Sequence, residues 1–287
     1  MEPSILELLW GTIVLRPYVF AFLTCFLFAS ITQMGLKRTA VYTVSAYLIA
    51  FLSEYSSTRN GFPYGIYHYI DTTRNQELWI SNVPFMDSLS YTFLAYFSIQ
   101  MAIFFTAPLR WKGWDLRCAV THEIRRSKKV LFLAPLLFML LDVIIDPVAL
   151  RGSKWFLGQI YFYPEPGIHW GVPLSNYAGW YIVGFAITLA YQGIDRLFQG
   201  TREIGMAAFS YRDMLCPVVY FSVFIFNLSV TFYIDEHKIG VSGASIAGFI
   251  FYIFLRHIMS APPPSPEEIE KHLRDFSSEE KDAFWKG

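Results

Sequence analysis

The chain is 287 residues long, 54% hydrophobic and 18% aromatic, with 16% charged residues and a formal net charge of zero. That composition is too apolar for an ordinary soluble domain and places the chain among integral membrane proteins; no nucleic-acid partner is expected. Apolar runs long enough to cross about 30 Å of hydrocarbon occur seven times: about Pro17 to Leu36, Ala40 to Ser57, Val83 to Ala107, Val130 to Ala149, Asn176 to Ile194, Leu215 to Ile234 and Ile239 to Met259. The first run is full length and lacks a small-residue cleavage site, so it is expected to remain in the membrane. Loops after the first, third and fifth runs, from Lys37 to Arg212 and including Arg202, carry twelve Lys and Arg, whereas the opposite loops carry five: Arg59, Arg74, Arg151, Lys154 and Lys238. Positively charged loops stay in the cytoplasm, which predicts an outside N-terminus and a cytoplasmic C-terminus in the cell membrane. Beyond Met259 the chain turns polar. Pro262, Pro263 and Pro264 break the last helix, and Ser265-Pro266-Glu267-Glu268 is a start signal for a short charged helix, expected to be solvated or disordered.

Two stretches about ninety residues apart share one order of features. The first passes from Glu54 through Gly61-Phe62-Pro63-Tyr64-Gly65-Ile66-Tyr67-His68-Tyr69 to Val83-Pro84-Phe85-Met86-Asp87. The second passes from Asp142 and Asp146 through Gly158-Gln159-Ile160-Tyr161-Phe162-Tyr163 to Val172-Pro173-Leu174-Ser175-Asn176. Recurrence of acid, Gly-aromatic turn and Val-Pro entry predicts an internal parallel repeat, with halves about 40–107 and 130–194. Acids within apolar spans are costly and mark function. Asp142 and Asp146 are four residues apart and share a helix face. Glu54, Asp87, Asp235 and Glu236 are expected at the same membrane face. The bland alternative is that these acids cap helices or pair with Arg59, Arg74, Arg151 or Lys154.

Aromatic residues crowd the linkers, among them Tyr64, Tyr67, Tyr69, Trp79, Trp155, Tyr161, Tyr163, Trp170, Tyr177 and Trp180. A membrane-interface belt accounts for many of them. Their association with Gly61, Gly65, Gly158, Asn60 and Asn176 predicts ordered re-entrant turns lining a cavity, whose ring faces can steady a cation. The six His are scattered without the close pairs of a di-iron site, and neither a dinucleotide fingerprint nor a phosphate loop is present. No cofactor and no metal is expected. Asn227 is the obvious polar residue of the sixth run.

At this point the sequence resembles a known family. Glu54, the Asn60 to Tyr69 turn, Asp142 to Asp146-Pro147, Trp155 and Gly171-Val172-Pro173-Leu174-Ser175-Asn176-Tyr177-Ala178-Gly179-Trp180 are similar to the membrane carotenoid hydratases, a group whose members include many carotenoid biosynthesis proteins. The resemblance covers about Ala40 to Trp180 in motifs and the remainder mainly in hydropathy. It implies a hydro-lyase that adds water to the terminal 1,2 double bond of an acyclic (psi) carotenoid end group such as that of lycopene, giving a tertiary alcohol. Its partners would be a membrane-embedded carotenoid, water, the bilayer and other carotenoid-biosynthesis enzymes. The implied catalytic residues are Asp142, Asp146, Glu54 and Asp87, with Asp142 as proton donor and Asp146 or Glu54 activating water. Asn60, Tyr64, Tyr67, Trp155, Asn176 and Trp180 would bind substrate. The expected fold class is all-α: a polytopic membrane helical bundle of about seven transmembrane helices, with residues 1–260 as the catalytic domain and 261–287 as a polar cytosolic tail. Two other readings compete. Asp142-Val143-Ile144-Ile145-Asp146 matches one Asp-rich motif of intramembrane prenyltransferases, although the second is missing, and a non-enzymatic carotenoid- or lipid-binding membrane protein would use the aromatic turns for binding alone.

Overall fold

The computed structural model describes residues 3–199, 209–276 and 284–285. Arg202 and most of the tail beyond Phe276 lie outside the described residues. A short apolar helix, α1 (Ile5–Leu15), comes first and is not anticipated by the sequence reading: its 11 residues are too few to span a membrane, and Pro17 at the start of the next helix breaks the run. Seven helices of 18 to 25 residues then stand at the seven apolar runs. They are α2 (Pro17–Met34), α3 (Leu36–Asn60), α4 (Phe85–Phe104), α6 (Lys128–Ala149), α7 (Leu174–Leu197), α8 (Leu215–Tyr233) and α9 (His237–Ser260), with the single-turn α5 (His122–Arg125) between α4 and α6. Four of them, α2, α6, α8 with its leading turn, and α9, are long and apolar enough to cross a membrane.

Helix α4 is buried nearly all round and forms the axis of the bundle. Around it, α6 packs on α4 and α7, α3 on α4 and α7, and α8 on α4 and α9. The aromatic linkers are tied down as short antiparallel ribbons. Strand β1 (His68–Tyr69) pairs with β6 (Tyr161–Phe162), with Tyr69 opposite Tyr161, and β2 (Trp79–Ile80) pairs with β3 (Val83–Pro84). Away from this end, β4 (Leu109–Lys112) and β5 (Asp115–Cys118) form a hairpin. Pro84 and Pro173 are the N-cap residues of α4 and α7, and Asp87 and Asn176 each follow their proline by three positions (87 − 84 and 176 − 173). A proline with extended ψ before a helix fixes the entry of the chain, so both polar side chains emerge at the same place in the first turn.

Two features lock the linker end. Arg16, fully buried between α1 and α2, donates from Nη2 to Glu77 Oε1 at 2.9 Å and from Nη1 to the Leu157 carbonyl at 2.5 Å, tying the helix junction to both linkers. Gly179 lets α7 lie directly on the Pro63-Tyr64 turn, because a Cβ there would sit 2.4 Å from Tyr64 Cδ1 and 2.8 Å from Tyr64 Cα. Gly179→Ala is therefore expected to destabilise the fold by about 1–3 kcal/mol through overpacking, read as a lowered unfolding temperature of the detergent-solubilised protein.

The tail begins as the sequence signals: Ser265 caps α10 (Pro266–Asp275) with a reciprocal Ser265–Glu268 capping box. It is not simply solvated, however. His272 Nδ1 meets the Val120 carbonyl at 2.6 Å, and the His122 amide donates to Asp275 at 2.9 Å. The apolar residues of α10 face Ala119, Phe284 and Trp285, a pattern hidden by the high local charge.

Candidate active site

Asp142 and Asp146 project from one face of α6. Asp142 lies seven residues before Ala149, the end of the helix (149 − 142), or about 10 Å inside it. Asn176, from the first turn of α7, donates through Nδ2 to Asp142 Oδ2 at 2.6 Å and to Asp146 Oδ2 at 2.9 Å. Tyr161 donates to Asp146 Oδ1, and Tyr163 donates to Oδ2 at 2.8 Å. Asp142 Oδ1 is buried and has no hydrogen-bond partner among the described residues. In the other half, the Tyr69 hydroxyl is 3.0 Å from Glu54 Oε1 and also meets Asp87 Oδ2, while Ser88 donates to Glu54 Oε2. A phenol has one hydrogen, so satisfying both Tyr69 contacts requires a proton on one of the two carboxyls.

None of these four acids makes an ion pair among the described residues. The interface acids behave otherwise: Glu236 meets Lys154 at 2.5 Å and Arg151 at 3.4 Å, and the exposed Asp235 lies 3.7 Å from His237. The ion-pair form of the bland reading thus describes Glu236, which meets two of the cations named for it.

Two cavities meet at this cluster. An apolar one of about 110 Å³ is bounded by Tyr18, Phe22, Phe93, Trp155, Phe226 and Asn227, with Asp87, Asp142, Asp146, Tyr161 and Trp180 along one side. A polar one of about 50 Å³ is walled by Glu54, Tyr64, Tyr67, Tyr69, Tyr91, Tyr163 and Asn176, and shares Asp87, Asp146, Tyr161 and Trp180 with the first. Asp142 therefore faces only the apolar side and Glu54 only the polar side. Burial first, and the neighbouring carboxylates next, push the phenols of Tyr69, Tyr161 and Tyr163 well above their ordinary value. They remain hydrogen-bond donors at any physiological pH.

The sequence-derived binding residues divide between these spaces. Tyr64 and Tyr67 line the polar cavity, and Tyr64 also meets Ser53 Oγ at 2.9 Å. Trp155 lines the apolar cavity with its Nε1 donating to the Val148 carbonyl at 3.2 Å. Trp180 stacks on Tyr91 at 4.4 Å between ring centroids and borders both spaces. Asn60 is not brought to the cluster: it is exposed, and its Oδ1 accepts from the Phe62 amide at 2.9 Å, closing the turn. Tyr69, Tyr161 and Tyr163, expected from the sequence only as ring faces lining a cavity, instead place their hydroxyls on the acids, and Ser88, which the sequence did not single out, does the same. A signal existed in Tyr67-x-Tyr69 and Tyr161-x-Tyr163, since period two in extended chain sends both rings to one face.

The chain belongs to the carotenoid biosynthesis protein family, whose pattern matches residues 8–251. It is also similar to the bisanhydrobacterioruberin hydratase of Haloarcula japonica, with 28% identity over 192 residues, 66% of this chain and 54% of that protein. The chain thus spans about half the length of that relative. No solved structure matches.

Proposed function

We propose that this protein is a carotenoid hydratase that adds water across the terminal 1,2 double bond of an acyclic carotenoid end group. The observation that carries this reading is the division of the carboxyl cluster between an apolar and a polar cavity. Hydrating a trisubstituted alkene requires a proton on the less substituted carbon, brief protection of a tertiary cation, and water with somewhere to leave its proton. Asp142, which borders only the apolar cavity and whose Oδ1 has no hydrogen-bond partner among the described residues, is the proton donor. The ring faces of Trp180 and Tyr161 flank the cation. Water held among the tyrosines adds to the cation and gives its proton to Asp146, from which it returns to Asp142 within the Asn176-bridged pair. The balance is one alkene and one water giving one tertiary alcohol.

In this reading all seven long helices cross the membrane, with the N-terminus outside, and the two linker-bearing halves are repeats that meet through β1 and β6. The test is expression in cells accumulating lycopene or bisanhydrobacterioruberin, grown with heavy-oxygen water, followed by pigment analysis with mass detection. A tertiary alcohol carrying the label is expected. Unchanged pigments at confirmed membrane expression, with both substrates, would overturn the reading.

A further inference from the structure

We infer that the apolar cavity opens sideways into the bilayer between α2 and α8, through a mouth formed by Tyr18, Phe22, Trp155 and Phe226, and that the polyene chain of the substrate lies in this mouth during turnover. The inference rests on the hydratase reading and concerns where the rest of that substrate goes. A cavity of about 110 Å³ holds about four water-sized volumes, enough for one branched end group but not for a conjugated chain. The remainder must leave through a wall.

The wall toward α4 and α6 is closed by buried side chains, including Met86, Phe93 and Leu94. The wall toward α2 and α8 is made of part-exposed rings. Tyr18 stacks on Phe226 at 5.4 Å, Phe22 meets the edge of Phe226 at 6.2 Å, and Trp155 lies 6.4 Å from both Tyr18 and Phe226. These contacts join α2 to α8 by side chains, so rotamer changes can part them without moving the backbone. Both helices are long and apolar enough to cross a membrane, and Ile225 and Phe156 beside the rings are exposed. The mouth therefore faces hydrocarbon, which is where a polyene is dissolved. Flat aromatic faces suit a conjugated chain, and closing around it keeps bulk water from the cation.

The test is a Phe226→Cys variant in a Cys25→Ser background, reacted in membranes with a bulky bilayer-soluble maleimide or a charged water-soluble one. Val241→Cys, on the exposed face of α9, is the control. The bilayer-soluble reagent is expected to modify Phe226→Cys, more slowly when carotenoid is present, and to cut hydration by more than about tenfold, while modified Val241→Cys keeps its rate. Tyr18→Cys serves if Phe226→Cys does not fold. Full turnover after complete modification, or equally fast modification by the charged reagent, would overturn the mouth. If the unmodified protein converts no carotenoid, the hydratase reading fails instead, and carotenoid protection against modification still decides whether the mouth binds a polyene.

Discussion

Asp142→Asn is expected to lower hydration by about a thousandfold, the range for loss of a positioned acid, while leaving the protein folded. The substitution is nearly isosteric, and a side-chain oxygen remains to accept from Asn176 Nδ2, now at 2.6 Å from Asp142 Oδ2. What disappears is an acidic O–H on the oxygen that has no partner among the described residues. An amide cannot release a proton to an alkene. As the acid, Asp142 carries its proton and is neutral, so the amide replaces one neutral polar group by another at a wholly buried position and should change the unfolding temperature little. The measurement is labelled alcohol formed per unit of membrane protein, alongside carotenoid binding. Full turnover would remove Asp142 as the acid, whereas lost turnover with retained binding isolates the chemical step.

Much of this site was legible because it is written in short-range pattern. Acids inside apolar runs are costly enough to stand out, and Val83-Pro84 and Val172-Pro173 place Asp87 and Asn176 in equivalent first turns. What the sequence does not encode locally is the pairing of β1 with β6, a contact between residues more than ninety apart that sets Tyr69 opposite Tyr161. Without it the tyrosines read as an interface belt, since a belt and a site differ only in where the hydroxyls point. Asn60 failed for the reverse reason: an Asn before Gly61, at φ +82, serves the helix C-cap as well as it would serve a ligand. Asn227 is a further case. Its position in α8 reads as an isolated polar residue, yet it is buried, gives Nδ2 to the Val223 carbonyl at 2.9 Å, and borders the same apolar cavity as Asp142 and Asp146.

Asp146→Asn is expected to be as damaging to turnover, about a thousandfold, and unlike Asp142→Asn it should also lower the unfolding temperature. Asp146 accepts from three donors: Tyr161, Tyr163 at 2.8 Å and Asn176 at 2.9 Å. An asparagine offers one oxygen and one NH₂: turned toward Tyr163 and Asn176 the NH₂ faces the Asn176 donor, and turned toward Tyr161 it can donate to the phenol oxygen but leaves the phenol hydrogen without its acceptor. The orphaned phenol or amide is then buried without a partner, at a cost of about 1–3 kcal/mol. Chemically, the acceptor for the proton of water is gone, and so is the means of recharging Asp142. Because both acids act on one proton, Asp142→Asn combined with Asp146→Asn should be little slower than either alone. Glu54→Gln separates the roles. Glu54 borders only the polar cavity, so its loss should weaken water positioning by about tenfold without stopping turnover. If Glu54→Gln instead abolished hydration and Asp146→Asn slowed it modestly, the base would be Glu54, and the proton would have to return through Tyr69 rather than through the pair on α6.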